Sequence, residues 1–315
     1  MYDYIVVGAG LYGKLIAYKL SKETNKILLI DKKDITKKNK LNYIVINEKA
    51  NELLNSLVEN NIEPFISKKI DNVIINKENY DVKKYILDLK KFESYLLDNY
   101  LKNKGKILNK AIIKNYDFNN SQLVITGRKY KYKKLIAADG TMSEIRINLT
   151  KKIQRFMFCA QLKCKKSSND YIINYNNNTK LFEEVIPIRT NNYIKIINHK
   201  FKNNIFSEII NLKNKYKVDY KTINGYFIPK GDLLFNKRNI YFLGDSSGII
   251  DPINYSSIIY NLKIIDNFNK YKKKDYKKIK RILQLKKIIS KLLYLPIINR
   301  LIISLMIKFN WEELW

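Results

Sequence analysis

The first 31 residues of the chain contain the feature that most narrows its possible folds. A short apolar run at residues 2–7 leads directly into Gly8-Ala9-Gly10-Leu11-Tyr12-Gly13. A helical pattern of apolar residues follows, and a second apolar run at residues 26–30 ends in Asp31. This order of strand, glycine turn, helix, strand and acid predicts a dinucleotide-binding unit of a doubly wound α/β fold.

The residue types in this unit suit a pyrophosphate-containing ligand. Gly8 permits a tight turn, Gly10 lets the backbone approach the pyrophosphate, and Gly13 allows the helix to pack closely on the strand. The helix begins at the ligand, with its free N–H groups and the positive end of its dipole. Asp31 is placed to accept hydrogen bonds from a ribose. The predicted contacts are Gly8, Gly10, Leu11, Gly13, Asp31 and Lys32. Such a unit does not distinguish NAD from FAD.

Two later segments have the form of acid-bearing turns that follow a buried strand. Residues 135–146 read LIAADGTMSEIR, and residues 240–252 read IYFLGDSSGIIDP. In open α/β sheets, turns of this kind form the rim where ligands bind.

Together, the three segments resemble the motif set of the FAD-dependent oxidoreductase superfamily that contains geranylgeranyl reductases and aromatic hydroxylases. Its members carry GxGxxG, D-G-x-x-S-x-x-R and G-D-x-x-G-x-x-x-P in this order. The resemblance implies an α/β fold: a Rossmann-like FAD-binding domain, an inserted and mainly antiparallel β substrate domain, and a helical C-terminal tail. We expect residues 1–150 and 231–268 to form the first, residues 151–230 the second and residues 269–315 the third.

The resemblance also implies FAD as the cofactor and assigns roles to single residues. Asp245 would bind the ribityl chain after a close turn at Gly244, and Pro252 would lie near the isoalloxazine ring. Lys90 stands where many relatives have a cofactor-contacting Arg, whereas Asp139 and Arg146 would be structural or near the cofactor. The further residues predicted at the cofactor are Lys90, Asp139, Gly244, Asp245, Pro252, Asn254 and Tyr255.

An aromatic segment leading back to the cofactor domain provides candidates for the substrate pocket. Tyr226 and Phe227 either line a hydrophobic pocket or pack in the core. No side chain stands out as catalytic. The two cysteines, Cys159 and Cys164, and the single His199 are too few for a structural zinc site, which needs four ligands.

One departure from the family pattern lies after the late proline. Relatives carry a glycine-rich segment there, but this chain has Tyr255 and Ser257. A side chain at these positions could crowd the flavin ring. Three hypotheses follow: a reductase of isoprenoid or other hydrophobic double bonds; a flavin monooxygenase that uses NAD(P)H and O2; and a catalytically degenerate binding protein on the same fold. NAD(P)H or another reductant would be the electron donor.

The net charge of +31 has two interpretations. It could attract nucleic acid or an anionic membrane, or it could reflect a compositional bias toward lysine. Only seven of the 60 basic residues are Arg, and the lysines run along the whole chain. Nucleic-acid sites rely on Arg for bidentate contacts, so nucleic-acid binding is the least favoured interpretation.

The C-terminal tail combines a Lys-rich stretch at residues 270–281 with an apolar stretch at residues 288–309. Lys291 and Arg300 interrupt the apolar stretch, and Pro296 is expected to kink it. We predict two short amphipathic helices that either pack on the cofactor domain or contact an anionic membrane surface, with Trp311 and Trp315 suited to an interface. The paucity of cysteine, the absence of a signal-peptide pattern and the lack of a spanning segment predict a cytoplasmic, at most peripherally membrane-associated protein.

Overall fold

The computed structural model describes residues 1–36, 43–164, 169–176, 181–188, 192–198, 218–295 and 301–305. These residues form two eight-stranded sheets with helices packed against them. His199, Pro296, Arg300, Trp311 and Trp315 lie outside the described residues, so the predictions made for them stay predictions.

The first sheet has a parallel core that begins with the predicted dinucleotide unit. Its strand order is β15-β16-β9-β1-β2-β6, and β7, β8 and β9 form an antiparallel meander at one side. Strand β16 pairs in parallel with β9. The carboxyl ends of these strands, and with them the two acid-bearing turns, therefore lie side by side. The strands are β1 (Tyr2–Val7), β2 (Ile27–Ile30), β6 (Lys106–Leu108), β7 (Ile113–Asp117), β8 (Gln122–Ile125), β9 (Arg128–Ala137), β15 (Asn236–Lys237) and β16 (Ile240–Phe242).

The second sheet is antiparallel except where β11 pairs in parallel with β4. Its strand order is β14-β10-β13-β12-β11-β4-β5-β3. The prediction of a mainly antiparallel sheet in this part of the chain is confirmed. The strands are β3 (Tyr43–Asn47), β4 (Ile66–Ile75), β5 (Glu78–Asp88), β10 (Phe156–Cys164), β11 (Tyr171–Asn176), β12 (Leu181–Pro187), β13 (Asn192–Asn198) and β14 (Val218–Pro229).

The composition of the second sheet differs from the predicted division of the chain. Strands β3, β4 and β5 lie inside residues 1–150, yet they pair with one another and, through β4, with β11. The second sheet therefore draws on residues 43–88 as well as on residues 156–229. Buried strands must pair their backbone N–H and C=O groups, and the partner strand can be far away in the sequence. The order of strands along the chain therefore does not show which strands share a sheet.

The helices cover the sheets with apolar faces. Their bounds are α1 (Leu11–Ser21), α2 (Glu48–Val58), α3 (Leu89–Lys102), α4 (Glu144–Thr150), α5 (Ile258–Asp266) and α6 (Lys273–Leu292), with short 3-10 turns at Glu63–Phe65 and Gly244–Ser247. Helix α3 carries Lys90 at its second position. Among the described residues, no helix is both long enough and apolar enough to cross a membrane.

The tail is helical in two stretches, as expected, since residues 301–305 are helical as well as α6, but the first helix is longer than predicted. The Lys-rich stretch and the beginning of the apolar stretch form one helix of 20 residues, α6. A stripe of Tyr276, Ile279, Leu283 and Lys286 is buried, while the lysines between them face outward. This spacing of three and four residues is that of an amphipathic helix. The helix can therefore bury one face and keep its lysines in solvent on the other.

Candidate functional site

A cavity of about 680 Å³ joins the glycine loop to the second sheet. Its volume is within the range of small-molecule and cofactor sites. The predicted residues that line it are Gly10, Leu11, Tyr226, Phe227, Gly244, Asp245, Asn254 and Tyr255. The predicted residues that lie outside its lining are Gly8, Gly13, Asp31, Lys32, Lys90, Asp139 and Pro252.

The glycine loop is fixed by direct contact between backbone segments. A Cβ atom on Gly13 would lie 1.7 Å from the Gly8 carbonyl oxygen, and one on Gly8 would lie 2.2 Å from the Ala138 carbonyl oxygen. Gly10 differs, because a Cβ atom there would meet no atom within 4 Å. Gly10 is also the N-cap of α1, and no side chain caps this helix end. The cavity thus borders an uncovered helix N-terminus, the arrangement that binds phosphate groups.

Asp31 holds the glycine loop in place. One carboxylate oxygen accepts a hydrogen bond from the Ala9 N–H at 2.7 Å, and the other accepts one from the Lys33 N–H at 2.7 Å. Contact between Asp31 and a ribose remains a prediction. Lys32 is exposed and forms an ion pair with Glu144 at 2.7 Å.

Arg146 connects the two later motif segments. Its buried guanidinium donates to the Gln154 Oε1 at 2.8 Å and to the Ser246 carbonyl at 3.0 Å, and it also donates to the Asp232 carbonyl. Gln154 in turn donates to the Asp245 carbonyl at 2.9 Å. These contacts give Arg146 a structural role.

Asp139 and Asp245 are acids at the ends of neighbouring parallel strands. Burial raises the pKa of each carboxyl to about 6. The Oδ1 of Asp139 has no hydrogen-bond partner among the described residues. The Thr141 hydroxyl lies 3.3 Å from an Asp245 carboxylate oxygen and donates to the Phe227 carbonyl at 2.8 Å. Asp245 therefore faces the cavity with its hydrogen-bonding capacity largely unused.

Gly244 begins the late turn, and a side chain there would have to displace the Tyr12 ring. Its φ is +64°, and a Cβ atom would lie 2.5 Å from the Tyr12 ring. Its N–H donates to the Asn261 Oδ1 at 2.7 Å, which ties the turn to α5. Tyr12 reaches across from the glycine loop, and its hydroxyl lies 3.0 Å from the Ser257 hydroxyl.

Tyr255 occupies the expected glycine position in a left-handed conformation, with a φ of +54°. Its side chain is buried and packs on the Phe182 ring, with centroids 5.0 Å apart, and its hydroxyl lies 3.4 Å from that of Tyr294. Asn254 supports the turn because its Oδ1 accepts from the Ser256 N–H at 2.9 Å. The turn thus keeps a glycine-like backbone although it lacks glycine.

A buried ion pair connects this turn to the C-terminal helix. The Lys286 ammonium donates to an Asp251 carboxylate oxygen, and both residues are almost fully buried. The other Asp251 oxygen accepts from the Ile253 N–H at 2.9 Å. The Lys286 ammonium also lies 5.3 Å from the Tyr260 ring centroid. No local signal distinguishes Lys286 from the exposed lysines of α6, and sequence reasoning missed it.

The remaining predicted residues lie at different depths. Lys90 is exposed near the start of α3, while Glu93 from the same helix lines the cavity and forms a buried ion pair with Lys14 at 2.8 Å. Phe227 is 41% exposed and packs on the Phe156 ring, with centroids 4.7 Å apart. Tyr226, which is half-buried, lines the cavity from β14.

Polar side chains on the second sheet were not singled out from the sequence. Gln161, Glu184 and Lys195 line the cavity on a wall that is otherwise mostly apolar. The alternation of each strand was visible, but the register that aligns these three residues was not. Within the described ranges, no group of three or more His, Cys, Asp or Glu side chains is placed to hold a metal ion.

The two sheets and the acid-bearing turns give the chain the fold of FAD-dependent oxidoreductases and hydroxylases. A geranylgeranyl bacteriochlorophyll reductase-like protein from Thermoplasma acidophilum superposes with a TM-score of 0.72 at 17% identity, over 93% of this chain and 88% of that one. P. aeruginosa PqsL, in complex with 2-aminobenzoylacetate, gives 0.73 at 10% identity, over 96% and 98%. A Klebsiella pneumoniae HpxO variant complexed with FAD gives 0.68 at 10% identity, over 100% and 94%.

Sequence comparison adds less than the fold does. The model of the ketopantoate reductase PanE/ApbA family matches residues 4–94, which is less than a third of the chain. That region contains the β1–α1–β2 unit, which dinucleotide-binding proteins of several kinds share. No curated protein matches the sequence.

Proposed function

We propose that the chain is an FAD-dependent oxidoreductase of the geranylgeranyl-reductase type, which reduces double bonds of an isoprenoid or other hydrophobic substrate. The observation that carries this proposal is the continuous cavity, which extends from the uncovered N-terminus of α1 to the largely apolar wall of the second sheet. One end suits a dinucleotide and the other suits an apolar substrate.

The residues at the cofactor end fit FAD. Gly10 leaves open space at the start of α1, where the pyrophosphate would lie, and a side chain there would fill that space. Asp245 offers a carboxylate to the hydroxyls of a ribityl chain. When bound, the flavin would supply hydride chemistry, while the protein would bind it, orient it and exclude water. The HpxO variant, which shares this fold, is complexed with FAD.

The absorption spectrum of the purified protein tests the proposal. We expect flavin bands, either as purified or after FAD is added, and we expect Gly10→Asp to abolish them because the new carboxylate would occupy and repel the pyrophosphate site. Gly127→Asp is the control for the added carboxylate, at a hairpin turn with no atom within 4 Å of the added Cβ. Because the φ of Gly127 is +78°, circular dichroism must show that this variant and Gly10→Asp are folded before their flavin content is compared. A spectrum without flavin under all conditions would leave only a non-enzymatic binding protein, and full flavin content in Gly10→Asp would contradict the placement of the pyrophosphate.

A flavin monooxygenase that uses NAD(P)H and O2 is the second candidate. The similarity to PqsL and HpxO and the polar residues in the cavity wall favour it. Oxidation of the reduced protein in air, with and without substrates, separates the candidates. Rapid formation of peroxide or of a hydroxylated product supports the monooxygenase, whereas anaerobic transfer of reducing equivalents to an alkene supports the reductase.

We also propose that the C-terminal helices contact an anionic membrane surface. Leu285 and Ile288 on α6 and Leu301 beyond it are 57%, 61% and 63% exposed, and lysines flank them. Apolar side chains beside lysines suit a headgroup boundary with anionic lipids. Sedimentation with phosphatidylserine-containing vesicles should carry the protein down, and Leu285→Ser/Ile288→Ser should reduce this several-fold. Leu101→Ser, at a residue 47% exposed on α3, is the control. Equal sedimentation of all three proteins would refute this contact.

A further inference from the structure

A row of three polar side chains crosses the second sheet at the cavity wall. Lys195 on β13 is the register partner of Gln161 on β10 and of Glu184 on β12. Register partners point to the same face of a sheet, with their Cβ atoms about 4.5–5.5 Å apart. All three line the cavity. Their terminal groups are therefore close enough to contact one small functional group of a ligand.

The row lies on an apolar background. Ile173 and Ile186 also line this wall, and the Phe182 ring centroid lies 5.8 Å from the Lys195 ammonium. Gln161 and Glu184 are only 1% and 5% exposed. Polar groups buried in such surroundings cost free energy unless they have partners. Replacing a buried ion pair by apolar residues of similar volume is often neutral or stabilising, so the stability of the sheet does not by itself explain this row.

Two of the three side chains have partners within the protein. The Lys195 ammonium forms an ion pair with the Glu184 Oε2 at 2.9 Å, and the Tyr171 hydroxyl donates to Oε1 at 2.5 Å. The Oε2 atom itself accepts no hydrogen bond from the described part of the chain. Burial disfavours the charged form of Lys195, but the Glu184 carboxylate outweighs this and raises the lysine pKa. Lys195 therefore stays a cation, and its ammonium has N–H donors to offer to a ligand in the cavity.

Gln161 is the member of the row that lacks a partner. Its Oε1 is buried and accepts no hydrogen bond from the described part of the chain. An unsatisfied buried acceptor costs free energy, so a ligand that donates to it gains affinity. Rotation of the amide exchanges Oε1 and Nε2, and a group that both donates and accepts suits either orientation.

We propose that the substrate is a largely apolar molecule with a hydroxyl group, a phenol or an alcohol, and that this hydroxyl binds between Gln161 and Lys195. The hydroxyl donates to the Gln161 amide oxygen and accepts from the Lys195 ammonium. A carboxylate has no hydrogen to donate and would lie beside the Glu184 carboxylate. A hydrocarbon or methyl ether leaves Oε1 unpartnered. This inference rests on the proposed function, because it assigns the substrate class of the same cavity.

Matched ligands test the hydroxyl directly. The probes are 4-butylphenol, 4-butylanisole and 4-butylbenzoate, and farnesol with its methyl ether. Binding is measured by calorimetry, on protein with FAD added and on protein stripped of flavin. We expect at least one hydroxyl compound to bind about 10- to 100-fold more tightly than its methyl ether, the ratio for one hydrogen bond to a buried acceptor. The 4-butylbenzoate should bind more weakly than 4-butylphenol.

Gln161→Leu identifies the acceptor. This substitution keeps the approximate volume, so it should abolish the preference for hydroxyl over ether while affinity for the ethers is kept. Gln284→Leu, at an exposed residue on α6, is the control and should retain the preference. Equal affinity for hydroxyl and ether, an unchanged preference in Gln161→Leu, tighter binding of the benzoate, or no binding of any hydroxyl compound would overturn the proposal. The flavin spectrum is recorded separately, so failure of the FAD assignment is distinguishable from failure of the hydroxyl site.

Discussion

The glycine loop at residues 8–13 and the late turn at residues 244–258 both border the cavity, but they keep their shapes by different means. In the glycine loop, neighbouring backbone occupies the space of each Cβ atom at Gly8 and Gly13. In the late turn, Tyr255 adopts a left-handed backbone and fills space with its side chain. The difference teaches that positive φ alone does not require glycine. Only close approach of another backbone segment does, because no side-chain rearrangement can relieve that clash.

The largest effect should come from adding one methyl group to the glycine loop. In Gly13→Ala, the Cβ atom would lie 1.7 Å from the Gly8 carbonyl oxygen, so α1 would have to move away from β1. We expect no cooperative unfolding transition, or a free energy of unfolding lower by more than about 3 kcal/mol. Thermal unfolding followed by circular dichroism measures this. Gly10→Ala is the control and should unfold like the wild type, since its Cβ atom meets no neighbour. Similar melting of Gly13→Ala and wild type would show that the loop is not fixed by backbone contact.

The next effect concerns the ion pair that holds the late turn. Asp251→Asn or Lys286→Met leaves one buried charge without its partner, which costs about 3–5 kcal/mol. The double variant removes both charges and should recover much of that loss. Urea unfolding of the two single variants and the double variant measures the coupling between the residues. Additive losses in the double variant would mean that the pair does not stabilise the turn.

A smaller effect should follow from restoring glycine to the late turn. Tyr255→Gly relieves the left-handed backbone but removes a side chain that is only 5% exposed and packs on Phe182. We expect a net loss of about 2–3 kcal/mol, because the cavity left behind outweighs the relief of backbone strain. Tyr255→Phe is the control, since it keeps the ring that packs on Phe182 and removes the hydroxyl that contacts Tyr294. Greater stability of Tyr255→Gly than of wild type would show that strain, not packing, dominates the turn.

The same contrast explains what the sequence could reveal. The glycine loop was predictable because its constraint is local: Gly8, Gly10 and Gly13 lie within six residues and between two buried strands. The mainly antiparallel sheet of residues 151–230 was predictable from the family resemblance, which the three motifs carry. The role of Tyr255 was not, because its partners Phe182 and Tyr294 are distant in the sequence.

Long-range pairing limited the remaining predictions. Strand β4 joins the second sheet through the pairing of Val73 with Tyr171, nearly a hundred residues later. The row of Gln161, Lys195 and Glu184 depends on the register of three strands, and a shift by one residue would turn each side chain to the other face. Lys286 is one of many lysines in its helix, and only the packing of α6 on the late turn distinguishes it.

The smallest effect should come from Asp245 in the late turn, whose carboxyl differs from that of Asp31, the acid that anchors the glycine loop. Asp31 accepts backbone hydrogen bonds with both oxygens, whereas Asp245 is buried with a pKa raised to about 6. Because the folded state of the flavin-free protein then binds a proton more tightly than the unfolded state, Asp245 makes the protein less stable as the pH rises from about 4 to about 6. Asp245→Asn removes this titration. The variant should be more stable than wild type by about 1–2 kcal/mol at pH 7.5, and the difference should shrink toward zero by pH 4.5.

Thermal unfolding of the flavin-free proteins across this pH range measures the difference between Asp245→Asn and wild type. Asp139 titrates in both proteins, so its contribution cancels. Asp71→Asn, at an exposed carboxylate on β4, is the control and should give a difference near zero throughout. A constant advantage of Asp245→Asn at every pH would mean that the amide improves packing and that the carboxylate of the late turn is not held in a desolvated site. A difference that grows between pH 4.5 and 7.5 would show instead that the late turn keeps an ionisable group poised at the cavity, where the glycine loop keeps only backbone.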